Sequence, residues 1–187
     1  MNQVCVAGGG LAGTHLAIAL ARRGVRVTLC ERRSLAALTG IGYSAAQFDT
    51  VAPQSGQDRS IALALSHRGL LALRRLELED AALARARPML GREIHLEDGA
   101  TVFTAYDPTG AGRILAIARS DLFAVLLDAA MREPLIEIRQ QTVVRDWQTR
   151  AGQVAVRGQE GELGLYDALI GADGANSALR AAPQRAG

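Results

Sequence analysis

The chain has 187 residues, of which 49% are apolar and 21% charged, the composition of a folded globular protein of one domain, or one domain and part of a second. All 21 basic residues are Arg, which excludes chemistry that needs an ε-amine, such as a Schiff-base lysine or a phosphate-loop lysine. The net charge of +2 is spread among acids, as in Glu77, Glu79, Asp80, Arg85 and Arg87, and argues against a nucleic-acid footprint.

Val4–Ala7 is an apolar run that ends in glycines and predicts a buried parallel strand. Leu11–Arg23, rich in Ala and Leu and closed by Gly24, predicts a helix with a glycine C-cap. Val25–Cys30 predicts a second strand. Cys5 and Cys30 fall inside these apolar runs and read as buried reduced thiols. Strand, glycine turn, helix and strand together form the first half of a doubly wound α/β fold. Gly40, Gly42, Pro53, Ser55 and Gly56 punctuate Arg32–Gln57, which reads as mostly loop. Arg59–Leu65 reads as extended, and Ser66 as the N-cap of a helix to about Leu76. A shorter helix is expected over Glu79–Arg87, stopped before Pro88. Arg92–Leu96 and Thr101–Thr104 flank Glu97-Asp98-Gly99-Ala100, a hairpin signal. Ile114–Ala118 predicts a strand, and Ser120–Met131 a helix with Leu122, Val125, Leu126 and Ala129 on one face. Leu135–Ile138, Val143–Trp147, Val154–Arg157 and Leu163–Ile170 predict four more strands. No apolar run approaches the ~20 residues that span a bilayer. The N-terminus has no basic stretch leading into a cleavable apolar segment, so a reducing cytoplasm is expected.

Two motifs carry chemistry. Gly8-Gly9-Gly10-Leu11-Ala12-Gly13 fits G-x-G-x-x-G between a strand and a helix. Its glycines permit a tight turn and let backbone amides approach a pyrophosphate at the helix N-terminus. Glu31 ends the second strand, close to the ~20-residue spacing of the ribose-binding acid. A carboxylate there accepts bonds from ribose hydroxyls and repels a 2′-phosphate, so this half of the site favours FAD or NAD over NADP. The second motif is Gly171-Ala172-Asp173-Gly174, which follows an apolar strand and places a carboxylate at the sheet's C-terminal edge. An NAD dehydrogenase has no general use for that carboxylate.

The second motif resembles the Asp-Gly motif of the single-component flavin hydroxylases, the family that includes p-hydroxybenzoate hydroxylase. Within that family, Arg59–Gly69, Pro88–His95, Ala105-Tyr106, Ile114–Arg119 and Leu126–Ala130 resemble, in order, segments of the kynurenine 3-monooxygenases. The resemblance implies an α/β fold: a Rossmann-like FAD-binding domain with a parallel sheet, helices and a small antiparallel β-meander. It makes 88–106 an inserted hairpin of the substrate domain. It also implies that the chain is an N-terminal portion, with a later Gly-Asp motif and most of the substrate domain beyond Gly187. The implied cofactors are FAD and, as reductant, NADPH. The implied partners are O₂ and a small aromatic substrate. A flavin hydroperoxide would hydroxylate that substrate, most closely kynurenine to 3-hydroxykynurenine. Two other readings stay open: a flavin hydroxylase of the ubiquinone-precursor or phenol type, and a non-catalytic dinucleotide-binding module.

Carried over by position, Gly8, Gly10, Leu11, Ala12 and Gly13 would hold the pyrophosphate. Glu31 would hold the adenosine ribose, with Arg32 and Arg33 beside it. Ala64 would line the flavin, Arg119 would contact FAD, Val143 would pack near the adenine, and Asp173 with Gly174 would reach toward the pyrophosphate. Arg92 and Tyr106 would grip the substrate carboxylate, and would need to share a face of the hairpin. Taken without the resemblance, Arg92 reads as an ordinary surface residue. The family usually has Asn where this chain has Ala62, and Arg where it has Leu90. No catalytic side chain is expected, and His15, His67 and His95 lack metal-ligand spacing. Ile94, Val102 and Phe103 are expected to form a contiguous exposed apolar patch.

Overall fold

The computed structural model describes residues 2–34, 62–106 and 114–181. The loop expected up to residue 57 and the start of the Arg59–Leu65 run lie outside the described residues. In chain order the elements are β1 (Gln3–Ala7), α1 (Leu11–Ala21), β2 (Arg26–Cys30), β3 (Ala62–Leu65), α2 (His67–Arg74), α3 (Glu79–Leu83), β4 (Arg87–Met89), β5 (Gly91–His95) and β6 (Thr101–Ala105). There follow β7 (Ile114–Ala118), α4 (Arg119–Arg132), β8 (Ile136–Arg139), β9 (Val144–Arg150), β10 (Gln153–Gly158), β11 (Gly161–Tyr166), β12 (Ala168–Gly171) and α5 (Ala178–Ala181). They form two compact units, residues 1–42 with 126–187, and residues 43–125.

The first unit is built on a four-stranded sheet of order β12-β1-β2-β8, with every pairing parallel. The register sets Ala7 beside both Gly171 and Cys30, and Cys30 beside Arg139, so the strands end together at one edge. Successive side chains of a strand point to opposite faces. Val4 and Val6 therefore pack with Ala17, Val27 and Leu29 on the face that α1 covers. Cys5 and Ala7 pack with Cys30, Val144, Val156, Tyr166 and Leu179 on the other. A strand covered on both faces needs apolar residues at every position, which is why Val4–Ala7 is uninterrupted. Both cysteines are free and buried, with their sulfurs 3.9 Å apart. Past α1, Gly24 takes φ 81°. Its amide bonds to the Ala21 carbonyl at 2.9 Å, and the Val25 amide to that of Leu20 at 3.2 Å. This is the glycine-closed helix end that the sequence predicts.

A three-stranded antiparallel meander, β9-β10-β11, completes this unit. Leu163–Ile170 reads as one strand, but it divides at Asp167. Tyr166 ends β11 in the meander, and Ala168 opens β12 in the parallel sheet. The Asp167 carboxylate accepts the amides of Asn2 at 2.5 Å and Gln3 at 3.1 Å, which ties the crossing point to the start of β1.

The second unit holds an antiparallel sheet of order β3-β7-β4 and the separate hairpin β5–β6. Ser66 occupies the N-cap of α2 but makes no side-chain cap bond, and α2 ends at Arg74 rather than Leu76. Glu77, at φ 54°, marks the turn that follows. The second predicted helix is also shorter than expected. It stops at Leu83, and Arg87–Met89 forms edge strand β4 instead. Pro88 can lie in that strand because an edge strand spares one row of amides from pairing. In the hairpin turn, Gly99 takes φ 84°, and the Asp98 carboxylate accepts the Ala100 amide at 2.9 Å. The boundary between units falls within α4, where Leu122, Val125, Leu126 and Ala129 are buried as expected.

Candidate functional site

Three glycines shape the turn between β1 and α1, each for a different physical reason. Gly8 has φ 107° and donates its amide to the Cys30 carbonyl at 2.8 Å. A Cβ at this position would lie 2.4 Å from the Ala172 carbonyl oxygen and 2.7 Å from the Asp173 nitrogen. At Gly13 a Cβ would lie 1.9 Å from the Gly8 oxygen, so α1 can start this close to the strand only with glycine there. Gly10 differs. It is the N-cap of α1, at φ −77°, and an added Cβ would meet nothing within 4 Å. No side chain caps the helix. The amides of Leu11, Ala12 and Gly13, which lack intrahelical acceptors, remain available beside that open space. A helix N-terminus of this kind favours an anion.

Glu31 stands one residue past β2 and is only 5% exposed. Its Oε2 accepts the Gly9 amide at 2.9 Å, and its Oε1 accepts both the Arg33 amide and Arg33 Nε at 2.9 Å. Burial pushes the carboxyl pKa up, but the bonds from Arg33 and Gly9 outweigh it and hold the group below the usual carboxylate range. The carboxylate is therefore charged at neutral pH. Gly9 is a residue of this turn that motif reasoning passes over. Its Cβ would come within 2.8 Å of the Glu31 Cβ, and its amide orients the carboxylate. The signal in the sequence is the unbroken run of three glycines, where the motif asks for only two of them. The Thr142 amide bonds to the Glu31 carbonyl at 2.9 Å and brings the segment of Val143 alongside. Asp173, two residues beyond β12, is exposed, and its Oδ2 accepts the Ala178 amide at 3.0 Å. Gly174 follows at φ 87°.

Gly8, Gly10, Leu11, Ala12, Gly13, Glu31, Arg32, Arg33, Asp173 and Gly174 thus gather at the C-terminal edge of the parallel sheet, with Val143 beside Glu31. The residues fit the adenosine and pyrophosphate of a dinucleotide. Gly10 leaves space beside free amides, and a charged carboxylate stands at the end of the adjacent strand.

The remaining expected site residues lie in the second unit. Ala64 is exposed in β3, opposite Ala116. Arg119 is exposed at the start of α4, directly after β7. In the hairpin, Arg92 pairs with Thr104 and Ile94 with Val102, and the Tyr106 amide bonds to the Leu90 carbonyl at 3.1 Å. Opposed residues share a face and alternate residues repeat it, so Arg92 and Tyr106 are on the same face. The apolar patch expected on the hairpin is divided. Val102 and Phe103 are exposed, but Ile94 is half-buried, and Phe103 is on the face opposite Val102. There its ring lies over Gly91, where a Cβ would meet Phe103 Cζ at 2.4 Å. Among the described residues no His, Cys, Asp or Glu cluster could hold a metal ion. No described helix is long and apolar enough to cross a membrane.

A family model described as FAD binding domain matches residues 1–184. The chain belongs to this family. Its FAD binding domain is 36% identical over 186 residues to the kynurenine 3-monooxygenase of Stenotrophomonas maltophilia, covering 98% of this chain and 38% of that one. The kynurenine 3-monooxygenase of Drosophila willistoni is 33% identical over 184 residues, covering 96% of this chain and 37% of that one. The chain therefore spans under two-fifths of the length of these relatives. A solved variant of 2-methyl-3-hydroxypyridine-5-carboxylic acid oxygenase superposes with a TM-score of 0.72 at 25% identity, over 96% of this chain and 41% of its own. The p-nitrophenol 4-monooxygenase of Pseudomonas putida shares the fold, with a TM-score of 0.68 at 23% identity, over 95% of this chain and 42% of its own.

Proposed function

We propose that this chain supplies the adenosine- and pyrophosphate-binding site, and part of the substrate grip, of a monooxygenase that hydroxylates an aromatic amino acid of the kynurenine type. FAD is the cofactor, NADPH the reductant and O₂ the oxygen source. The observation that carries the reading is the pairing of an open Gly10 turn with a buried, ionised Glu31 at the end of the next parallel strand. The similarity to kynurenine 3-monooxygenases supports the substrate class. Bound FAD supplies the redox and oxygen-transfer chemistry, and the protein positions and shields it.

In this reading the amides of Leu11, Ala12 and Gly13 hold the pyrophosphate, and Asp173 approaches it from the end of β12. Glu31 accepts a ribose hydroxyl. Arg33 keeps that carboxylate charged, and Arg32 lies beside it. Val143 packs near the adenine. The resemblance to the flavin hydroxylases assigns Ala64 and Arg119 to the flavin portion. The hairpin within 88–106 belongs to the substrate side, where Arg92 offers a planar fork to a carboxylate and Tyr106 adds an orienting hydroxyl.

Titration of the purified chain with FAD tests this, with bound flavin read by absorbance and equilibrium dialysis. One FAD per chain is expected. Loss of the charged ribose contact in Glu31→Ala should weaken binding about tenfold or more. FAD uptake that is absent, or equal in Glu31→Ala and the parent chain, would overturn the reading.

A further inference from the structure

The face of the hairpin that carries Arg92 and Tyr106 bears a third polar group. Its register sets three cross-strand rungs on that face: Leu90 beside Tyr106, Arg92 opposite Thr104, and Ile94 opposite Val102. Directly opposed residues stand roughly 4.5–5.5 Å apart at Cβ, and diagonal neighbours roughly 7–8 Å. Thr104 is therefore closer to Arg92 than Tyr106 is. It also sits two residues before Tyr106 on the same strand, which places its hydroxyl in the angle between the two. Arg92, Thr104 and Tyr106 are all exposed, and among the described residues none of their side chains has a polar partner. The opposite face differs, since there the Thr101 hydroxyl already pairs with His95 Nδ1 at 3.3 Å.

The rungs on either side supply apolar surface. Ile94 and Val102 lie next to Arg92 and Thr104 on one side, and Leu90, 77% exposed, lies on the other. Arg92 is then the one cation on this face of the hairpin, suited to a single carboxylate attached to an apolar body. A carboxylate has about four lone-pair positions, more than an Arg fork and one hydroxyl fill.

We propose that Thr104 is a specificity-determining residue, whose hydroxyl donates to a substrate carboxylate held by Arg92 and Tyr106 while Ile94 and Val102 support the substrate's aromatic ring. The proposal rests on the substrate reading given above. The test uses the whole chain loaded with FAD and two probes, L-kynurenine and its carboxamide, with binding followed by NMR shifts of the hairpin amides. The parent chain should prefer the acid. Thr104→Val keeps the side-chain shape and removes the hydroxyl, and it should weaken acid binding about three- to tenfold. Thr104→Ser should restore the acid's affinity, and the amide should bind the parent and both variants alike. If the parent binds neither probe, or binds both equally, the carboxylate reading fails and Thr104 falls with it. If the parent prefers the acid but Thr104→Val leaves that preference unchanged, the Thr104 assignment alone fails. Equal weakening of acid and amide would also overturn it, because a purely packing role predicts that result.

Discussion

Gly10 and Gly13 lie in one motif, yet an added methyl means opposite things at the two. At Gly13 the methyl meets the Gly8 carbonyl, which is backbone and cannot rotate away. Gly13→Ala should therefore cost about 1–3 kcal/mol of stability, read as a lower urea midpoint with an unchanged slope. At Gly10 the backbone is ordinary and the space is open. Gly10→Ala should keep stability within about 1 kcal/mol of the parent, the cost of a poorer N-cap. It should still weaken FAD about tenfold or more, because the methyl enters the ligand's space. Parallel urea and FAD titrations of the two variants separate these effects. Glu31 adds a pH dependence. Its pKa is depressed in the folded chain, so its contribution to stability is complete above the ordinary carboxylate pKa. That contribution is lost as pH falls through the folded value. The stability difference between the parent and Glu31→Gln should then hold near neutral pH and shrink on acidification, as measured by urea midpoints across the acid range. A widening difference at low pH would contradict the assignment. The Gly8, Gly10 and Gly13 positions were legible because they fall in one short motif between a strand and a helix, although the contact that demands glycine at Gly8 is with Ala172, far along the chain. The partner that orients Glu31, the Gly9 amide, was not legible, because it depends on how closely two strands end together.

At the scale of elements, the division of Leu163–Ile170 at Asp167 decides the architecture of the first unit. The run is apolar enough for one strand, and a period-based reading cannot see that its two halves join different sheets. The acid marks the crossing, with its carboxylate turned back to the amides of Asn2 and Gln3 and, at 3.4 Å, to Gln153 Nε2. Asp167→Ala should speed amide hydrogen exchange at Asn2 and Gln3 while leaving α1 protected, which site-resolved exchange measures directly. The short helix α3 carries a similar lesson. Its pattern continues to Arg87, but Arg87–Met89 pairs with β7, and tertiary pairing overrides local preference. The hairpin β5–β6 was readable because Asp98-Gly99 sits between two extended runs and Gly99 supplies the left-handed conformation of the turn.

For the molecule as a whole, a ligand that binds only the folded state adds stability by mass action. FAD at one hundred times its dissociation constant should stabilise the chain by about 2.7 kcal/mol. Trp147, the single tryptophan, packs against the core beneath β1 and β2, so its fluorescence reports unfolding of the first unit. An unfolding curve that FAD does not move would count against ligand binding in that unit. The sequence by itself determined the β1–α1–β2 start, the acid at its end and the Asp-Gly turn, because each is written in residues close together along the chain. It also carried the resemblance that the family match bears out. The tertiary structure alone decided that β12 lies beside β1, which sets Asp173 against the glycine turn. It decided that Gly9 orients Glu31, and that Arg92, Thr104 and Tyr106 share one face of a hairpin. Those facts depend on strand order and register. Register in turn is fixed by long-range packing, and a shift of one residue would send every side chain to the other face.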